Sequence, residues 1–379
     1  MAQRDVMFVV GARPQFIKSA PVIREFITRH RRINLSIVHS GQHYDPEMSS
    51  IFFRELDIPK PYLNLNAGSG SHAAQTAAIM QGVEHAIAVK RPDLVVVPGD
   101  TNTTLAAALT AAKLQVPVAH LEAGLRSGDF AMPEEVNRVL TDHCSILNFA
   151  PTRTAVRNLM SEGLSDSIRF TGDTMVDTMH LVAPDVRNAE KSMLTKFDAH
   201  GYDYVLVTLH RPSNVDDLTR LEEIHCALEK VALQMKVIFL VHPRTKDRLV
   251  KLGRKDSGET LSLLETKPQG YIETLALLKN AACLLTDSGG MQKEAYILHT
   301  PCLTLRNATE WPETLTGHAN RLITNPNQIP STIVKIAANE KLRRRISELK
   351  NPFGDGHAST RVADLIERAV MAKSNLLST

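Results

Sequence analysis

Apolar positions along the chain come in two patterns. Short runs rich in Val, Leu and Ile, at Val6 to Val10, Ile33 to His39, Leu94 to Pro98, Val118 to Leu121 and Ile146 to Ala150, read as strands, and the purely apolar Leu94 to Pro98 as a parallel strand buried on both faces. Between them the apolar residues recur at helical spacing. Phe16, Ile17, Ala20, Ile23 and Ile27 predict a helix from about Gln15 to His30. Ser71 caps a predicted helix from about His72 to Lys90, and Thr101 to Thr104 can cap one carrying Leu105, Leu109 and Leu114. A helix over about Ala155 to Glu162 and a strand over Ile168 to Gly172 close the first half.

A polar, Pro-containing stretch near residues 172 to 190 reads as a boundary. The second half repeats the style, with strands at Tyr204 to Thr208, Val237 to Val241 and Cys283 to Thr286. Its helices are expected at Leu218 to Gln234, Tyr271 to Lys279 and Met291 to Leu298. A final helix, about Ser359 to Ala372, has Val362, Leu365, Ile366 and Val370 on one face. The expected architecture is α/β, with two Rossmann-like domains facing across a cleft. Residues 1–172 form the first, residues 173–358 the second, and the helix of 359–379 can pack back onto the first.

Composition narrows the class. The 379 residues carry a formal charge of +3, too little to argue for a nucleic-acid or membrane surface. The basic run Lys341 to Lys350 mixes charge with apolar residues and reads as a solvated helix face. The four cysteines are dispersed and form no C-x-x-C, so neither disulfides nor a cysteine zinc site is expected, and a reducing, cytoplasmic setting fits. No stretch approaches the roughly 20 apolar residues that span a bilayer.

The chemistry concentrates where strands end, because ligands of open α/β sheets sit beyond the carboxyl ends of the strands. Asp100 and Glu122 follow two successive strands, and Glu134, Glu135 and Arg138 come next on a short helix. Arg13 and Lys18 stand at the start of the first helix, where a bound phosphate would account for two cations set against the helix dipole. Gln42 and His43, in the loop after the second strand, are expected polar contacts; a His39/His43 metal pair is not, since Gly41 lies between them and no Glu follows the first His. In the second half, His210-Arg211 and His242-Pro243-Arg244 follow strand ends, and Ser288-Gly289-Gly290 opens a helix with Gln292 and Glu294 behind it. Histidines, arginines and a glycine-rich helix start suit a diphosphate. Carboxylates suit the hydroxyls and proton transfers of an attached sugar.

These residues also carry a resemblance. G-A-R-P-Q-F-I-K (11–18), G-Q-H-Y (41–44), P-G-D-T-N (98–102), H-L-E-A-G-L-R-S (120–127), P-E-E-V-N-R (133–138), L-H-R-P-S-N-V-D (209–216) and T-D-S-G-G-M-Q-K-E-A (286–295) resemble the non-hydrolysing UDP-N-acetylglucosamine 2-epimerases over essentially the full chain. The resemblance implies a glycosyltransferase-B architecture, commonly a homodimer, that interconverts UDP-N-acetylglucosamine and UDP-N-acetylmannosamine without metal or other cofactor. It implies Asp100, Glu122 and Glu134 as catalytic carboxylates and His210 as the catalytic histidine, with Arg13, Lys18 and Arg138 in the same cleft. Ser288, Gly289 and Gly290 would hold the diphosphate, Glu294 the ribose, and the segment from Gln269 through Tyr271 to Thr274 would border the uracil.

Two departures from the family pattern stand out. Pro212-Ser213-Asn214 follows His210-Arg211, and Trp311 stands where many members have an arginine, which Arg306 or Arg244 would have to replace. These leave the sugar ring substituents open, and with them an epimerase acting on UDP-2,3-diacetamido-2,3-dideoxyglucuronic acid; a hydrolysing epimerase and a glycosyltransferase on the same fold are the other readings. A non-catalytic nucleotide-sugar sensor fits least, since acids are costly neighbours of a diphosphate.

Overall fold

The computed structural model describes residues 3–29, 32–41, 55–254 and 262–376. Gln42 and His43 lie outside them. The chain divides into two compact units, one of Met1–Val182 with Pro352–Thr379, the other of Ala183–Asn351.

The first unit is built on a parallel sheet of β1 (Arg4–Val10), β2 (Ile33–His39), β3 (Leu63–Asn64), β4 (Leu94–Pro98), β5 (Val118–Leu121), β6 (Leu147–Ala150) and β7 (Ile168–Phe170), in the order β3-β2-β1-β4-β5-β6-β7. β4 and β5 are buried along their whole length, which is why neither alternates apolar with polar residues; the one polar side chain, His120 of β5, is buried with the rest. The connecting helices are α1 (Arg13–Thr28), α2 (His72–Lys90), α3 (Asn102–Lys113), α4 (Pro133–Cys144) and α5 (Arg153–Ser161). Ser71 caps α2 as its position in the sequence predicts, its side chain accepting from Ala74 N at 3.3 Å.

In the second unit β8 (Tyr204–Thr208), β9 (Lys236–Leu240), β10 (Leu263–Thr266), β11 (Cys283–Thr286), β12 (Cys302–Leu305) and β13 (Asn320–Ile323) form a parallel sheet ordered β10-β9-β8-β11-β12-β13. This is the doubly wound order, with its reversal between β8 and β11. His210 follows the first of these two strands and Ser288 the second.

The stretch expected to be an irregular boundary is instead one helix, α6 (Thr174–Lys196), and the division into units falls inside it. Pro184, just past the division, lacks the N–H that would continue the helix ladder, so its presence misleads the sequence reading without breaking the helix. The remaining helices are α7 (Pro212–Val215), α8 (Leu218–Ala232), α9 (Pro243–Lys251), α10 (Tyr271–Asn280), α11 (Gly289–Ile297), α12 (Ile329–Ala337), α13 (Glu340–Ser347) and α14 (Ala358–Leu376).

The chain rejoins the first unit at Pro352, earlier than the expected 359. The buried carboxylate of Asp177 in α6 fixes the return by capping the start of α14: it accepts from Ala358 N at 3.2 Å, Ser359 N at 2.7 Å and Ser359 Oγ at 2.5 Å. Two donors that α14 cannot satisfy itself thus find a partner on another helix.

Candidate active site

In the first unit the acids stand where the sequence places them, at the ends of β4 and β5. Gly99 (φ 69°) turns the chain after β4 and presents Asp100, whose Oδ2 accepts from Arg138 Nη1 at 2.6 Å. Arg138 is 1 % exposed. Its guanidinium is also held by Glu135, at 2.8 Å from Nη2 and 3.1 Å from Nε. This follows from α4, where the two residues are three apart and share a face. Burial pushes the Glu135 carboxyl up, but the N–H groups of Ser127 and Gly128 and the Arg138 cation outweigh it and hold it below its ordinary value. Glu134, half-buried, lies in the first turn of α4, where the helix dipole favours a negative charge.

Glu122, the first residue past β5, is buried in a left-handed conformation (φ 70°). For a residue with a side chain this costs on the order of 1 kcal/mol, and such strain gathers at functional sites. Its Oε2 meets Lys18 Nζ, and both side chains are nearly enclosed. A Cβ at Gly99 would stand 3.0 Å from that ammonium. Lys18 is the partner of Glu122, and the N–H groups of Gly11 and Ala12 donate to Gln15 Oε1 at 2.8 and 3.0 Å rather than standing open. Arg13 is half-buried at the first position of α1.

Beneath both strand ends lies a network that the sequence reading missed. His120, fully buried, has Nε2 2.7 Å from Gly99 O and Nδ1 2.6 Å from Asp142 Oδ1. Asp142 Oδ2 accepts from Gly124 N at 3.0 Å and pairs with Arg126 at 2.8 Å. One histidine and one carboxylate thus tie the turn carrying Asp100 to the turn following Glu122.

In the second unit, His210 and Arg211 follow β8 beside Asp287, the first residue past β11. Asp287 is fully buried and accepts from His210 N at 3.1 Å, Arg211 N at 3.0 Å and Asn214 Nδ2 at 3.1 Å, with His210 Nδ1 at 3.2 Å from its Oδ1. Burial raises this carboxyl, but the His210 ring, its hydrogen bond and the remaining donors bring it down to about 2. The His242 ring stands 5.5 Å from that of His210, and its Nδ1 caps α9 by accepting from Arg244 N at 3.2 Å.

Ser288 caps α11, and Gly289 and Gly290 form its first turn. The lack of a side chain at Gly289 is required, because a Cβ there would lie 2.0 Å from Glu310 Oε1. Glu310 is buried and paired with Arg306 at 2.7 Å, with Arg211 at 3.8 Å. Glu294 is buried in the same helix, and Tyr271, at the first position of α10, is 1 % exposed. The two arginines expected to replace the missing one are both engaged: Arg306 by Glu310, and Arg244, on the surface, by a two-point pair with Asp216. Trp311 is buried, and the ammonium of fully buried Lys293 sits 3.8 Å above its ring. A cation therefore occupies the neighbourhood of the tryptophan after all, supplied by α11.

A family model described as UDP-N-acetylglucosamine 2-epimerase matches residues 25–367. The chain belongs to the UDP-N-acetylglucosamine 2-epimerase family. It is 44% identical over 366 residues to a Methanococcus maripaludis protein named UDP-N-acetylglucosamine 2-epimerase homolog, covering 95% of this chain and 99% of that one. It is 40% identical over 367 residues to the UDP-2,3-diacetamido-2,3-dideoxy-D-glucuronate 2-epimerase of Pseudomonas aeruginosa, covering 96% and 99%. The solved structure of the Methanocaldococcus jannaschii UDP-GlcNAc 2-epimerase in complex with UDP-GlcNAc and UDP superposes with a TM-score of 0.87 at 42% identity, covering 96% of this chain and 99% of that one.

For a member of the epimerase family, the chemistry-bearing residues missed from sequence are the buried partners: His120, Asp142, Asp287, Glu310 and Lys293. His120, Asp287 and Lys293 stand inside the strand-end motifs, Asp142 and Glu310 outside them. Asp287 directly precedes Ser288, and His120 lies two residues before Glu122. Among the described residues, no three His, Cys, Asp or Glu side chains are grouped to hold a metal ion, and no helix is long and apolar enough to cross a membrane.

Proposed function

We propose that the chain interconverts UDP-N-acetylglucosamine and UDP-N-acetylmannosamine by inverting C2 of the sugar while the nucleotide is retained. The observation that carries this reading, beside family membership, is the pair of acids at consecutive strand ends, each with its own cation: Asp100 on Arg138, Glu122 on Lys18. A glycosyltransferase needs one base at most, whereas inversion at carbon needs a proton removed from one face and delivered to the other.

The C2 hydrogen is not next to a carbonyl, so direct abstraction is slow. In the proposed route the C1–O bond breaks first, its electron pair leaving with UDP, and the positive charge at C1 acidifies C2. A carboxylate of the first unit takes the C2 proton, giving 2-acetamidoglucal and UDP. Protonation of C2 from the opposite face, with return of a UDP oxygen to C1, completes the inversion. Asp100, Glu122 and Glu134 are the proposed acids and bases, with Arg138 in the same site. In the second unit His210, His242 and the Ser288-Gly289-Gly290 turn are assigned to the diphosphate, whose departing charge they stabilise. Glu294 is assigned to the ribose and the start of α10 to the uracil.

Incubation with UDP-N-acetylglucosamine in deuterated water, followed by NMR, tests the reading. Deuterium at C2 of an intact nucleotide sugar supports it. Free sugar plus UDP would mean hydrolysis, and no exchange without an added acceptor would favour a transferase. Asp100→Asn and Glu122→Gln should each lose at least roughly 100-fold in turnover with folding intact; near-normal activity in both would remove the base pair. The identity to the P. aeruginosa enzyme supports a second substrate, the diacetamido uronic acid, and the same exchange assay run on both nucleotide sugars decides between them. We also assign the chain to the cytoplasm, in keeping with four free cysteines, and to a homodimer. Exposed Phe130, Val136 and Leu140, on and just before α4, are the apolar surface we assign to the dimer, and light scattering tests it.

A further inference from the structure

We propose that Asp287 is a positioning residue that locks the tautomer of His210, holding the ring proton on Nδ1 so that Nε2 is the atom offered to substrate. The inference rests on the reading of His210 as the group that acts on the departing diphosphate.

The geometry separates two jobs within one carboxylate. Oδ2 accepts from Arg211 N at 3.0 Å and Asn214 Nδ2 at 3.1 Å, and shares His210 N with Oδ1 at 3.1 Å. Asn214 has no freedom to turn over: its Nδ2 also donates to Leu305 O at 3.0 Å, and its Oδ1 accepts from Arg220 Nε at 3.0 Å. Oδ2 is therefore committed to shaping the turn after β8. Oδ1 faces His210 Nδ1 at 3.2 Å.

A carboxylate accepts and does not donate, so the ring nitrogen against it must carry the hydrogen. The carboxyl has no access to solvent, and the donors around it hold it well below its ordinary value, so it is an acceptor at neutral pH. The His210 side chain is 41% exposed, so the ring held from one side remains reachable from the other. A carboxylate orienting a ring from behind is the same division of labour as in an Asp–His–nucleophile triad. The backbone of Asp287 adds a second restraint, its carbonyl accepting from Arg211 Nε at 2.9 Å.

Asp287→Asn is the decisive substitution because the fixed Asn214 dictates how the new amide sits. Its oxygen must stay at the Oδ2 position, opposite two donors, which puts its NH2 group against His210 Nδ1. That nitrogen must then present a lone pair, and the proton moves to Nε2. The turn keeps most of its hydrogen bonds while the tautomer reverses.

The test uses full-length protein labelled with 15N-histidine, with the His210 resonances assigned by their loss in His210→Gln. Long-range proton–nitrogen correlation spectra should show the neutral ring protonated on Nδ1 in the wild type and on Nε2 in Asp287→Asn. Turnover of the variant should fall at least about 100-fold, with KM within about threefold. A wild-type ring protonated on Nε2, or the same tautomer in both proteins, overturns the proposal; so does a reversed tautomer with unchanged turnover. If circular dichroism shows that the variant fails to fold, the wild-type tautomer alone decides. Failure of the parent reading shows separately, as near-normal turnover in His210→Asn while the wild-type tautomer remains on Nδ1.

Discussion

Replacing Lys18 by methionine tests whether this residue serves the substrate or Glu122. Methionine keeps much of the apolar stem and removes the Lys18 ammonium from beside the Glu122 carboxylate, which stays enclosed, 5% exposed. Removing one partner of a buried pair costs about 3–5 kcal/mol, because the other charge stays desolvated. In a unit of about 200 residues each kcal/mol moves the midpoint by about 2–4 °C, so thermal unfolding of the first unit should drop by roughly 6–20 °C. The double variant Lys18→Met with Glu122→Gln has no buried charge left uncompensated and should recover most of that loss. Activity should behave oppositely: both variants lose turnover, and the double variant regains none. Differential scanning calorimetry and the deuterium-exchange assay on the same samples supply both readouts. If Lys18→Met melts within about 1 °C of wild type and only its UDP affinity falls, the pairing with Glu122 carries no weight and Lys18 serves the phosphate instead.

Asp177→Ala strips three hydrogen bonds from the start of α14, including a helix cap, and should cost about 2–4 kcal/mol; hydrogen exchange should show α14 opening first, and unchanged protection there would refute the capping role. Cys283 and Cys302 are buried with their thiols pushed up, Cys302 to about 12, so an aromatic disulfide reagent at pH 8 should leave both unlabelled in the native protein and label all four cysteines in denaturant. Asp287 sits at about 2 against an ordinary 3.8, so its contribution, about 2 kcal/mol, is fully present above pH 3.8 and is lost as the pH falls toward 2. Urea unfolding of wild type against Asp287→Asn should therefore converge over that window, and parallel curves would refute the assignment.

Much of the fold is local enough to be read from the chain. A strand buried on both faces must be apolar throughout, so β1, β4, β5, β8 and β11 announce themselves. Ser71 marks its helix because an N-cap is a one-residue signal, and acids and glycines that follow such strands point to the ligand side of each sheet. β10, β12 and β13 escaped notice because polar residues interrupt them: Glu265 and Thr266 in β10, Thr304 in β12, Asn320 and Arg321 in β13, with β10 and β13 only partly buried. α6 escaped because its proline and polar residues resemble a linker, while the contacts that keep it helical come from elsewhere.

What the tertiary structure decided is pairing. Nothing in the order of residues couples Lys18 to Glu122, His120 to Asp142, or Asp177 to the start of α14. These partners lie far apart along the chain and meet only once the sheet order brings their strand ends and helices together. The apolar pattern reports which face of an element avoids water, whereas a buried charge is settled by whichever opposite group the finished packing sets beside it. The strand-end positions of the candidate residues were therefore legible in advance, and their ionic partners were not.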